Sequence, residues 1–308
     1  MKRFIFKLML FLAIIVVVDF MAGFVGDFLQ THAKGGYTRL TNDFVLKDSH
    51  DIIVFGSSRA KHHYDTPYLS DTLGLDVYNA GYEGCGVILA DGLLELILER
   101  YTPKAIIYDV TYIFDIYEYA NDNNDVRYLK WLKPYFRHQS VETLFKNVSK
   151  EEWYKVESGL IRYNSMLITM LQDNIIGNRL GNHGFEPMHG VLEDVVDESR
   201  ESNMNAENAL TIDSLKLKYV EHIIALAKKH NTQIVFVKSP RYGGTEASIL
   251  QPIQNICEKQ HVAFLNYVQE FQDPIFFCDH SHLNVKGARI FSQAILNNEV
   301  IKDVIKSY

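Results

Sequence analysis

The chain sets short, continuous apolar runs between helix-patterned stretches, and that rhythm restricts its fold more than any other feature. Residues 52–55 form such a run closed by Gly56, residues 77–80 form one closed by Gly81, and residues 105–110 follow Pro103. A strand covered on both faces needs an apolar run without alternation, and the bordering glycines and proline end each one. Residues 87–98 carry a helical pattern between the second and third runs. Farther on, Leu215, Tyr219, Val220, Ile223, Ile224 and Ala227 recur at three-and-four spacing within 212–230, with Asp213 in the first turn and Lys228, Lys229 and His230 at the end. This is an amphipathic helix whose terminal charges complement its dipole. A strand over 233–237, a helix over 249–259 with Ser248 as N-cap, a strand over 262–265 and a helix from Val285 complete the series. Strands alternating with helices predict an α/β fold: a mostly parallel sheet, covered on both faces, with functional residues at the carboxyl ends of its strands.

Two regions fall outside that rhythm. Residues 112–211 hold both tryptophans, Trp131 and Trp153, without a strand-helix alternation, so a largely helical insertion is expected there, its acidic stretch 193–208 being a surface loop. At the N-terminus, Lys2, Arg3 and Lys7 precede an apolar run over 8–18, Asp19 interrupts it, and a second apolar stretch covers 20–25. Taken as one helix, 4–25 reaches the roughly 20 residues that a bilayer requires, with Lys7 snorkelling to the cytoplasmic face. No small-x-small cleavage site follows Asp19, which favours an uncleaved anchor over a signal peptide. The positive flank then exports the rest, giving a single-pass protein of the cytoplasmic membrane with an extracytoplasmic domain. The expected divisions are a signal-anchor or transmembrane segment over 1–28, a linker over 29–50, and an α/β domain over 51–308 with its insertion at about 112–211.

At 308 residues, 47% of them hydrophobic, the chain can build one large core or two small ones. A formal charge of −7 offers no basic footprint for phosphates, so nucleic acid is not an expected partner. Cys85, Cys257 and Cys278 are too few and too irregularly spaced for a disulfide framework or a zinc site, and read as small buried residues.

Three motifs carry chemistry. Gly56-Ser57-Ser58-Arg59 ends the first strand, where a serine presents its hydroxyl at the sheet edge and its own N–H at a helix start. Alone, the motif reads equally as an N-cap turn. Asp279-His280-Ser281-His282-Leu283-Asn284 precedes the last helix; an Asp three residues before a His lets one loop carry both a base and the carboxylate that orients it. Asp279, His280 and His282 are also possible metal ligands, with His62 and His63 near Ser58 as company. Asn79-Ala80-Gly81-Tyr82-Glu83-Gly84 ends the second strand, and glycine lets a backbone N–H approach a reacting oxygen. Arg59 reads as a surface ion-pair residue, His62 and His63 as helix-surface residues, and His183, Glu186 and His189 as residues of a turn-rich stretch able to line a cleft.

Together these motifs resemble the SGNH, or GDSL-type, hydrolases. Ser58 matches the family's nucleophile, with Ser57 where Asp is usual; Gly84, five residues after Asn79, matches the oxyanion glycine; Asp279 and His282 match the final Asp-x-x-His block. The resemblance implies a flavodoxin-like three-layer sandwich and a Ser58-His282-Asp279 triad that needs no cofactor and no metal. The family's Gly-x-Asn-Asp-like third block falls at Tyr112-Ile113-Phe114-Asp115, where no Asn stands. The oxyanion hole is then left to the N–H groups of Ser58 and Gly84, with Thr111 or a residue of the insertion as a substitute donor. An N-terminal anchor and a Gly-Ser-Ser block resemble the membrane-tethered members that act on envelope polymers. The expected function is therefore a serine-dependent esterase or O-acyltransferase acting on acyl groups of a cell-envelope carbohydrate. The alternative is a catalytically silent, membrane-anchored carbohydrate-binding or assembly protein of the same fold. The oligomeric state is not legible.

Overall fold

The computed structural model describes residues 1–118, 129–164, 166–177, 183–193, 210–244 and 248–306. Most of the acidic stretch 193–208, expected to be a surface loop, lies outside the described residues. The chain forms two compact units, Met1–Asp48 with Leu129–Leu180, and Ser49–Tyr128 with Gly181–Tyr308.

The second unit is built on five parallel strands, β1 (Ile52–Gly56), β2 (Val77–Gly81), β3 (Ala105–Asp109), β4 (Gln233–Lys238) and β5 (Ala263–Asn266), in the order β2-β1-β3-β4-β5. That is the flavodoxin-like order, whose switch point lies between β1 and β3. Every residue of β1 and β3 is buried, which is why these segments had to be apolar throughout. Alternation sends Ile52, Val54, Ala105, Ile107, Val235 and Val237 to one face, where they share a core with Tyr64, Phe291 and Ile295. Ile53, Phe55, Ile106, Tyr108 and Phe236, also buried, point to the other. Helices Val87–Leu98 and Ser214–Lys229 pack together and against β1 and β4 there. Each such fully buried side chain contributes about 1.5–3 kcal/mol from its removal from water. The result is a three-layer α/β sandwich.

Helix ends follow local chemistry. Asp213 caps Ser214–Lys229 by accepting from Leu215 and Lys216 N–H, and Asn284 caps Val285–Asn297 by accepting from Lys286 and Gly287 N–H. The helix expected from 249 with Ser248 as cap instead spans Gln251–Lys259, because Pro252 in its first turn fixes the start there and Leu250 takes the N-cap position.

The first unit is helical: Lys2–Thr31, Gly36–Leu46, Gln139–Val148, Lys150–Glu157, Gly159–Asn164 and Leu167–Ile175. Two expectations change here. Residues 36–46, expected to be linker, form a helix with Phe44 and Val45 buried. Its Asn42 accepts from Gln30 Nε2 at 2.9 Å and from Tyr135 Oη at 2.6 Å. The region 112–211, expected as one insertion, is divided: residues 129–180 share a unit with the N-terminal 48. Lys2–Thr31 has a mean hydropathy of 2.7 over an 18-residue window, none of it buried, so by length and composition it can cross a membrane.

Candidate active site

β1 ends at Gly56, whose φ of 143° and closeness to Asp109 (a Cβ would lie 2.6 Å from its carbonyl oxygen) exclude any other residue. The chain then turns into the short helix Ser58–His63. Ser57 holds the N-cap position, yet its side chain makes no cap bond; its hydroxyl lies 2.6 Å from Thr111 Oγ1. Ser58 is the first helical residue, so its N–H has no acceptor within the helix. Its Oγ lies 2.8 Å from His282 Nε2. The N-cap reading of this motif therefore fails for both hydroxyls.

His282 is held from its other side. Its Nδ1 lies 2.9 Å from Asp279 Oδ2, while Asp279 Oδ1 accepts the backbone N–H of Ser281 and of His282 at 2.7 and 2.8 Å. A carboxylate that accepts at Nδ1 fixes the proton there and leaves the Nε2 lone pair toward Ser58. Burial would raise the Asp279 carboxyl, but the His282 hydrogen bond and charge and the two backbone donors outweigh it and hold the group below its ordinary value. Cys278 N–H donates to His282 O at 2.9 Å, and Phe277 bridges Leu283, so the loop is closed at its base.

Ser58 and His282 line a cavity of about 220 Å³ together with Ser57, Arg59, residues 111–114, Arg241 and Ser281. It opens at the carboxyl ends of β1, β3 and β4, beside the switch point, where an open α/β sheet binds ligands. Thr111, the expected substitute donor, lines it; Gly84 does not. Gly84 sits exposed with φ 64° in the loop after β2, which neighbours β1 through the Gly56–Gly81 pairing.

Three residues read as surface groups are buried. Arg59 is 4% exposed and donates to Val110 O at 3.1 Å and Thr111 Oγ1 at 3.2 Å. His62 donates from Nδ1 to Glu186 O at 2.6 Å and from Nε2 to Glu83 Oε1 at 2.7 Å. Burial alone would lower its pKa, but these two acceptors raise it, as fits a ring that donates from both nitrogens. His63 is fully buried; its Nε2 accepts the N–H of Leu283 at 3.0 Å, and its Nδ1 lies 2.9 Å from Ser239 Oγ. Burial, then the charge of Arg59, holds it neutral well below the ordinary value.

Asp115 gave no sequence signal beyond its place in the third block. It is fully buried and accepts from Tyr108 Oη and Thr111 N–H at 2.6 Å and from Val87 N–H at 2.8 Å, tying the loop after β3 to the helix after β2. Burial pushes its carboxyl up to about 6 against those three donors. Of the turn-rich stretch expected to line a cleft, none lines this cavity: His183 O accepts from Asn79 N–H, Glu186 pairs with Lys61 at 2.7 Å, and His189 O accepts from Cys278 Sγ. Among the described residues the one cluster with metal-ligand geometry is Asp91, Glu95 and His222, not Asp279, His280 and His282.

No protein-family model and no curated protein matches the chain. Among solved structures, it is similar to one from Streptococcus pneumonia, provisionally assigned as a platelet activating factor, at 11% identity and TM-score 0.40 over 95% of this chain and 97% of that one. A likeness at that level identifies neither a family nor an activity for this chain.

Proposed function

We propose that the protein is a membrane-anchored, serine-dependent ester hydrolase or O-acyltransferase, with a cell-envelope carbohydrate as its acylated substrate. The observation that carries the reading is the unbroken series Ser58 Oγ, His282 Nε2, His282 Nδ1 and Asp279 Oδ2, with links of 2.8 and 2.9 Å, opening into a cavity at the sheet's carboxyl edge. Ser58 Oγ attacks the acyl carbonyl carbon while its proton passes to His282 Nε2, and Asp279 stabilises the imidazolium. The tetrahedral oxyanion takes the N–H of Ser58, with Thr111 at the cavity wall as the neighbouring donor; Gly84, the expected second donor, stands outside the cavity. Collapse breaks the ester bond, the leaving alcohol takes the proton from His282, and the acyl group remains on Ser58. Water or a sugar hydroxyl, deprotonated by His282, then attacks the acyl-serine; the bond to Ser58 Oγ breaks and His282 returns the proton to that oxygen.

The substrate class and the placement rest on the resemblance and on the N-terminal helix. Lys2, Arg3 and Lys7 keep that end cytoplasmic, so the second unit works outside the membrane. A serine-directed fluorophosphonate should label the full-length chain, and Ser58→Ala should abolish the label. Equal labelling of both proteins would remove Ser58 from its role. The missing Asn of the third block favours a second, silent reading, which polysaccharide binding without turnover, unchanged in His282→Ala, would support.

A further inference from the structure

The helices Gly159–Asn164 and Leu167–Ile175 are arranged inside-out for a water-facing surface. Their ionic groups turn inward, while Asn164 and Gln172 are exposed polar residues without charge. Arg162 is buried and donates to Val156 O at 2.7 Å, Asp173 accepts from Thr38 N–H and Oγ1 at 3.1 and 2.6 Å, and Asn174 donates to Leu29 O at 2.8 Å. Met166 and Met170 also face in, packed with Leu29 and Tyr163. Outward stand Leu167, Ile168, Leu171 and Ile175 at three-and-four spacing, with Ile168 73% and Ile175 80% exposed. Among the described residues from Ser158 to Ile176, none that is exposed carries a charge. A surface helix in water has the opposite pattern.

The same two helices grip the second half of Lys2–Thr31. The Asp19 carboxylate accepts from Ser158 Oγ at 2.5 Å and from Gly159 and Leu160 N–H at 3.1 Å. A Cβ on Gly159 would come within 2.4 Å of Asp19 O and Gly23 N, so the backbones touch. Tyr163 lies across Gly26, and its hydroxyl donates to Asp27. A hydrocarbon core of about 30 Å takes roughly 20 residues of helix, which counted from Lys7 ends near Asp27. Asp19, Gly23 and Gly26 then fall in the leaflet remote from Lys2, and whatever touches them lies at the same depth. Residues 2–18 of this helix are exposed throughout, a surface that acyl chains cover all round and one docked protein covers on one side only.

From this we infer that the helices Gly159–Asn164 and Leu167–Ile175 form a second membrane-embedded element, seated among lipid acyl chains in that leaflet, where Ser158, Gly159 and Leu160 at its start neutralise the hydrogen-bonding demand of Asp19. The inference rests on reading Lys2–Thr31 as membrane-spanning. An ionisable group at such depth is costly unless it finds internal partners, which Ser158, Gly159 and Leu160 supply.

Nitroxide labels test it on the full chain in vesicles of phosphatidylglycerol and phosphatidylethanolamine. Single cysteines replace Phe11, Ile168, Ile175 and, as a water reference, Ile212 in a Cys278→Ser background, Cys85 and Cys257 being buried. All four positions are exposed, so folding tolerates the label. The expected result is strong relaxation by oxygen and loss of nickel-chelate broadening at 11, 168 and 175, with full nickel broadening at 212. Nickel broadening at 168 and 175 with 11 protected would overturn the embedded element and leave the spanning helix standing. Nickel broadening at 11 as well would remove the spanning reading itself. Protection of 168 and 175 from both reagents would mean a protein covers this face, and would also overturn the inference.

Discussion

Leu283 gives its N–H to His63 Nε2, and because that nitrogen accepts, the ring proton sits on Nδ1 and points to Ser239. A neutral imidazole thus ties the loop of His282 to the end of β4. Replacing His63 with Leu leaves the Leu283 donor unpaired in the core and removes the ring's link to Ser239, and should lower the unfolding free energy by about 1–3 kcal/mol in denaturant titrations. Asp279→Asn keeps the loop's shape but loses the tautomer control at His282. Its turnover should fall by about 10⁴-fold with KM little changed, measured on any ester that labels Ser58. The lowered Asp279 pKa adds stability above its ordinary value of 3.8, and that share is lost as pH falls through the lower folded value. The convergence of Ser58, Asp279 and His282 was legible because each sits in a short motif at a strand or helix end. Arg59, His62 and His63 were not, since what bonds them comes from residues 83, 110–111, 186, 239 and 283, away from them in sequence.

At the scale of elements, strands announce themselves and the knots between them do not. β1 to β4 were readable from continuous apolar runs, because a sheet covered on both faces tolerates nothing else. The helix Gly36–Leu46 was hidden by its polar residues, although Tyr37, Leu40 and Phe44 already stand at three-and-four spacing. Asp115 is the knot between the second and third crossovers. Asp115→Ala would strand the donors of Tyr108, Val87 and Thr111, and should cost about 3 kcal/mol or more of stability while loosening Thr111 at the cavity wall. Its pKa of about 6 lies above the ordinary 3.8, so the folded state binds a proton the unfolded state lacks between those values. Stability should therefore fall as pH rises from about 4 to 6, and that slope should flatten in the Ala variant, as followed by thermal melts across the range.

For the whole molecule, a described core cluster lies within each unit. Deleting residues 1–31 removes Leu29 from the cluster of Tyr163, Met166 and Met170, and Gln30 from Asn42. Limited proteolysis should then cut sooner within 159–176, while Ser58 labelling persists because, among the described residues, the core cluster on the Ile52 and Val54 face of the sheet includes none from that segment. The contact between Asp19 and Ser158 spans 139 residues of chain. At about 5–20 residues per second, a ribosome needs roughly 7–28 s to make the distance. Through that interval the Asp19 carboxylate has none of the partners that residues 158–160 give it in the folded chain, so the order of synthesis leaves it bare until the second half of the unit is made.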